Sequence, residues 1–178
     1  MVSTERGAIF FLTGAPGVGK STTARALARH FEKSIHFDID YFRSLVVKGM
    51  CQPNEGWNDE IAGQFHLAHK AVGKAAKTYS DAGFSVVAEH CSFPNDLNTF
   101  LEHAGSGVVV CLKSTMETNL ARNLMRTDKS FDPIDIEHFV LSMGNSLHLE
   151  LQKAGFTVLD NTNLSIDEAV DKILSLQP

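Results

Sequence analysis

Apolar positions along the chain fall into two alternating rhythms. Short runs rich in β-branched or aromatic residues recur at 8–12, 34–38, 84–88, 107–112 and 156–159. Each has the length and composition of a buried strand. Between the runs, apolar residues step by three and four. Ile61, Phe65, Ala68, Val72, Ala75 and Tyr79 form one such stripe, which stops near Gly83, a residue suited to a helix end. Ile136, Val140, Met143, Leu147 and Leu151 form another, with Pro133 ahead of it where a missing N–H costs little. Ser165 and Glu168 have capping-box spacing at the start of a last helix. Strands alternating with helices of this length predict a mostly parallel sheet covered on both faces.

The 178 residues are 43% hydrophobic, enough for one substantial core, and no Pro/Gly/Ser-rich linker interrupts them. The expectation is a single domain over 1–178. A formal charge of −5 with no run of Lys or Arg provides no electrostatic footprint for a long nucleic acid, while leaving a small phosphorylated ligand open. Cys51, Cys91 and Cys111 lack metal-ligand spacing, which points to a reduced, cytoplasmic setting. No signal-peptide pattern and no membrane-spanning apolar run is present, so the protein is expected to work without a membrane. Oligomeric state is not written in these features.

Gly14-Ala15-Pro16-Gly17-Val18-Gly19-Lys20-Ser21 matches G-x-x-x-x-G-K-[ST] in full. It follows the strand-like "AIFFL" and precedes the helical "STTARALARHF", the strand–loop–helix context that gives the motif its chemistry. Glycines let the backbone curl with its N–H groups around phosphate oxygens, and the following helix N-terminus favours anions. Lys20 is expected to reach the β- and γ-phosphates and the Ser21 hydroxyl to hold Mg²⁺, with Thr22 beside them.

The stretch "HFDIDYFR" at 36–43 puts Asp38 and Asp40 at the carboxyl end of the second strand, where ligands of open α/β sheets bind. Asp40 either caps a helix or faces the γ-phosphate. With the phosphate-binding loop, these residues resemble the small P-loop kinases, in particular the group of chloramphenicol phosphotransferase-like, gluconate kinase-like and polynucleotide 5′-hydroxyl kinase-like enzymes. The resemblance implies a three-layer α/β/α P-loop fold, a five-stranded parallel sheet of nucleoside-monophosphate-kinase type with a helical lid. It implies that Asp40 is the general base and that Arg43 orients the acceptor, with Asp38 a helper or a cap. "FSVVAEHCSF" resembles the third strand, whose end brings an acidic residue, here Glu89, beside the reacting groups. The segment 44–82 corresponds to the acceptor-binding insert, in which Trp57 could stack on a ring. The segment 118–135 resembles the lid, with Arg122 and Arg126 four residues apart on one helical face. Asp160 to Asn163 resembles the loop beside the adenine, with Asn161 among the nucleotide contacts.

His66 and His69 have metal-ligand spacing but no third ligand nearby, and are expected to line the acceptor pocket or to be structural. His90 is a candidate substrate contact. No N-K-x-D pattern for guanine is present, so ATP with Mg²⁺ is the expected donor. The favoured function is an ATP-dependent phosphotransferase acting on a hydroxyl of an antibiotic, sugar or other metabolite. The alternatives are a nucleotide, nucleoside or nucleic-acid 5′-hydroxyl kinase, and an ATP-hydrolysing switch.

Overall fold

The computed structural model describes residues 5–53, 56–124 and 146–177. Five strands, β1 (Ile9–Thr13), β2 (Ser34–Asp38), β3 (Ser85–Glu89), β4 (Val108–Lys113) and β5 (Thr157–Asp160), form one parallel sheet in the order β2-β3-β1-β4-β5. The apolar runs locate the strands to within one residue. Four strands continue onto a polar residue, Thr13, Glu89, Lys113 or Asp160, because ladder hydrogen bonds need no apolar side chain.

The described helices are α1 (Lys20–Arg29), α2 (Ile39–Ser44), α3 (Asp59–Asp81), α4 (Pro94–Ala104), α5 (Met116–Leu124), α6 (Leu147–Lys153) and α7 (Ile166–Leu174). Alternation along β1 divides the core between the two faces of the sheet. Ile9 and Phe11 pack with Ala68, Val72 and Ala76 of α3, Leu97 and Phe100 of α4, and Leu147 and Leu151 of α6. Phe10 and Leu12 pack with Ala24 and Leu27 of α1 and Val170 and Ile173 of α7. The architecture is therefore helix layer, sheet, helix layer. Phe11 is fully buried, edge-on to Phe100 with ring centroids 4.8 Å apart. Burial of one such side chain stabilises the fold by about 1.5–3 kcal/mol.

Local chemistry explains the helix ends. Asn58 opens α3 by accepting from the Ile61 N–H at 2.9 Å. The expected capping box forms at α7, with Ser165 and Glu168 exchanging side-chain and backbone hydrogen bonds. Gly73 allows α3 to lie close against α4, since a Cβ there would meet the Phe100 carbonyl oxygen at 2.6 Å. Of the apolar stripe from Ile136 to Leu151, the described part is α6, and its Leu147 and Leu151 are buried as the stripe predicts. Pro133, residues 136–145 and most of the expected lid lie outside the described residues. Among the described residues, no helix is long and apolar enough to cross a membrane.

Candidate active site

The helix that follows β1 lies on one face of the sheet and the helix that follows β3 on the other. This reversal opens a crevice beyond the carboxyl ends of the central strands, the place where such sheets bind ligands. The loop leaving β1 occupies it. Gly17 has φ +82°, and a Cβ on it would collide with the Asn119 carbonyl oxygen, so the loop needs glycine both to turn and to let α5 approach. Pro16 stands in the same turn, closed by the Val18 N–H donating to the Ala15 carbonyl at 3.3 Å. Lys20 Nζ folds back over the loop and donates to the carbonyls of Gly14 at 2.9 Å and Ala15 at 3.1 Å. Gly19 opens α1 without a side-chain cap, which leaves the first helical N–H groups available to an anion.

A cleft of about 660 Å³ lies over this loop. Residues 17–23 form its floor, including Ser21 and Thr22, while Arg122, Asn161, Leu164, Ile166 and Ala169 form its sides. That volume is in the range of small-molecule and cofactor sites. The Val18 carbonyl accepts from Arg122 Nη1 at 3.2 Å and from Asn161 Nδ2 at 2.9 Å, tying the wall of the cleft to its floor. Asn161 Oδ1 is buried without a hydrogen-bond partner, a polar handle inside an otherwise mixed surface.

On the other side of the loop, β2 and β3 end in register, Asp38 beside Glu89, and Glu89 beside Leu12 of β1. Asp38 is the N-cap of α2, its Oδ1 accepting from the Tyr41 N–H at 3.2 Å. The capping role considered for Asp40 therefore falls to Asp38, because Asp38 keeps extended backbone while Asp40 is already helical. Asp40 is about half exposed, and its Oδ1 stands 3.4 Å from His90 Nε2. Burial pushes the Cys91 thiol up; Lys20 opposes that shift, and Asp40 and Glu89 add to it.

The residues expected on the acceptor side pack against one another. The Arg43 guanidinium lies 3.7 Å over the Phe65 ring and donates from Nη2 to the Cys51 carbonyl at 2.9 Å, and its Nε has no partner. Burial works against its charge, while Asp40 nearby supports it. Trp57 stacks on Phe65 with ring centroids 5.6 Å apart and is 63% exposed. Glu89 is buried, with Oε1 unpartnered.

The two histidines on α3 separate in role. His66 is exposed, its Nδ1 3.2 Å from Thr99 Oγ1, whereas His69 is fully buried between the Phe65 carbonyl and Ser92. Among the described residues no group of His, Cys, Asp and Glu could hold a metal ion. Arg126, expected beside Arg122, lies outside the described residues.

Sequence reasoning missed Phe65, Ser92 and Thr13 as site residues. Phe65 was visible only as part of an apolar stripe, and Ser92 and Thr13 meet across 79 positions. The cleft residues Leu164, Ile166 and Ala169 likewise carry no motif.

A five-stranded parallel sheet with this loop and these layers is the fold of the P-loop kinases. The model of the family described as "Chloramphenicol phosphotransferase-like protein" matches residues 7–139, and the chain belongs to that family. An adenylyl-sulfate kinase of Myxococcus xanthus is 24% identical over 141 residues, covering 75% of this chain and 72% of that protein. Two solved structures share the fold. A tunicamycin resistance protein of Deinococcus radiodurans aligns with TM-score 0.63 at 18% identity, covering 96% of this chain and 95% of the other. A shikimate kinase of Bacteroides thetaiotaomicron aligns with TM-score 0.66 at 17% identity, covering 95% and 97%. The protein is thus a P-loop kinase with a nucleotide-binding loop.

Proposed function

We propose that the protein moves the γ-phosphoryl group of Mg-ATP to a hydroxyl of a small molecule. The observation that carries this reading is the half-exposed Asp40 carboxylate, held just past β2 at the same carboxyl end of the sheet from which the loop carrying Lys20 leaves β1. A nucleotide switch has no use for such a carboxylate. A kinase does, because the acceptor hydroxyl must lose its proton as it attacks.

In this reading the acceptor oxygen forms a bond to the γ-phosphorus, the bond from that phosphorus to the β–γ bridging oxygen breaks, and the hydroxyl proton passes to Asp40. Lys20 and the uncapped N–H groups at the start of α1 hold the phosphates in place and balance the charge that develops during transfer. Arg122, already reaching across the loop to Val18, adds charge from the lid side. Asn161 orients the base end of the nucleotide in the 660 Å³ cleft. The Ser21 hydroxyl is a hard oxygen donor at the first turn of α1, which suits Mg²⁺, an ion that takes most of its ligands from phosphate and water. Bound there, the ion would neutralise phosphate charge. Asp38 caps the helix that carries Asp40, and Arg43 and Trp57 shape the acceptor side through Phe65. The domain organisation proposed is a single unit with an acceptor segment at 44–82 and a lid at 118–135, working in the cytoplasm without a long nucleic acid.

Shikimate kinase and adenylyl-sulfate kinase, both similar to this chain, name small-molecule acceptors. A suitable panel therefore includes shikimate, adenylyl sulfate, chloramphenicol, tunicamycin and simple sugars, tested by thermal shift with Mg²⁺ and a non-hydrolysable ATP analogue. The expected result is a hydroxyl compound that stabilises the nucleotide-bound protein and accepts labelled phosphate from ATP. ATP turnover stimulated by a protein or nucleic acid, and by no hydroxyl compound, would overturn the assignment.

A further inference from the structure

Behind Asp40 runs a chain of hydrogen bonds whose direction the donor and acceptor chemistry fixes. It starts at the Phe65 carbonyl, which can only accept, 2.8 Å from His69 Nδ1. Nδ1 of His69 therefore carries a proton. The ring is fully buried, which holds its pKa down at about 3, so it is neutral and its Nε2 is a bare acceptor. At 2.7 Å from that nitrogen is Ser92 Oγ, which must donate its one proton there. Ser92 Oγ can then only accept from His90 Nδ1, 2.9 Å away. His90 is thereby held with its proton on Nδ1, and its Nε2 lone pair is turned to Asp40 Oδ1 at 3.4 Å.

The chain is tied to the phosphate-binding strand. Thr13, the last residue of β1, donates from Oγ1 to the Ser92 carbonyl and accepts from the Ser92 N–H, both at 3.0 Å. The His90 N–H donates to the Leu12 carbonyl at 3.2 Å. Isolated imidazole has no reason to choose this tautomer, and here the Phe65 carbonyl, acting through His69 and Ser92, selects it.

We propose that His90 is a positioning residue that takes up the proton Asp40 collects from the acceptor, held to that task by Ser92 and His69. The inference rests on Asp40 being the base. The proton leaves the acceptor oxygen as its bond to phosphorus forms, reaches Asp40, and passes to His90 Nε2. Asp40 is thereby restored as a carboxylate beside an imidazolium, a pairing of opposite charges. His90 can take this proton because Nε2 is the nitrogen its partners leave bare. The charged and titratable groups facing His90 are Asp40 from α2, His69 and the more distant His66 from α3, and Asp96 from α4, with Glu89 and Cys91 beside it in the chain. Asp40 is the one in contact with Nε2.

Long-range ¹H–¹⁵N spectra of the histidines in the full labelled chain test the arrangement without any acceptor. Neutral His90 is expected to carry its proton on Nδ1. In Ser92→Ala the proton should redistribute toward Nε2, and Ser92→Thr, which keeps the hydroxyl, should restore it. With Mg-ATP and water as acceptor, His90→Gln should lower kcat about 10-fold or more with unchanged KM for ATP. Wild-type His90 found with its proton on Nε2, or a His90→Gln kcat equal to wild type, overturns the proposal. A panel with no phosphoryl acceptor would bring down the small-molecule assignment while leaving the spectra to decide on His90.

Discussion

The two sides of the crevice are built on different principles. On the nucleotide side the recognising groups are mainly backbone, presented by eight consecutive residues and one helix start, and glycine is needed where the chain turns or α5 comes close. On the side proposed for the acceptor the groups are side chains, brought together from α2, α3, the end of β3 and the segment after it. A backbone cradle can be specified by a short motif because its geometry is local. A side-chain constellation is specified only by the whole fold. This difference teaches why relatives can share the first side and differ in the second: phosphate is common to their donors, and acceptor shape is not.

Asp40→Asn is the sharpest way to separate the sides. It should leave ATP affinity and melting temperature near wild type and lower phosphoryl transfer roughly 10²- to 10⁴-fold, the amount proton transfer contributes. Asp38→Asn should be mild, since Asn caps a helix about as well as Asp. Measured transfer that survives Asp40→Asn and is lost in Asp38→Asn would reverse the assignment of the two carboxylates.

Lys20→Ala breaks the nucleotide side instead. The expected loss is on the order of 10²-fold in kcat, because an ammonium aimed at developing charge is absent. Near-normal turnover in steady-state kinetics would remove Lys20 from the chemistry. Arg122→Ala should have a smaller effect, about 10-fold, and should lower kcat more than it raises KM for ATP if its contact strengthens as charge develops. Equal weakening of both would make it a ground-state contact that merely holds the Val18 carbonyl.

What could be read from the sequence follows the same division. The strands were legible because buried strands concentrate apolar side chains, the loop because its curvature demands glycine, and the α7 cap because Ser165 and Glu168 are three residues apart. The position of Asp40 just past the second strand was legible, and the structure places it there. The roles of its neighbours were not. Arg43 reads as a charge meant for a ligand, and the fold lays it on Phe65. Trp57 reads as a ring for a substrate, and it stacks on the same phenylalanine. His66 and His69 look alike at spacing three. Helix rotation buries one and exposes the other, and the partner that gives His69 its meaning is Ser92, 23 residues away.

His69 also makes the acceptor side the acid-sensitive half. Its pKa is held at about 3 against an ordinary 6.5, chiefly by burial and then by His90 nearby. The folded state resists the proton that the unfolded chain accepts, so the stabilising contribution is fully present above about pH 6.5 and is lost as pH falls from there toward 3. Within that window one such group steepens the fall in stability by about 1.4 kcal/mol per pH unit. His69→Gln should flatten the slope of unfolding free energy against pH in urea titrations between about pH 6 and 4. At neutral pH the same variant should be less stable than wild type by about 1–3 kcal/mol, the cost of disturbing a buried hydrogen-bonded group. An identical pH dependence in wild type and His69→Gln would mean that the buried imidazole is protonated in the folded protein, and the direction of the Ser92 hydrogen bond would then have to be reversed.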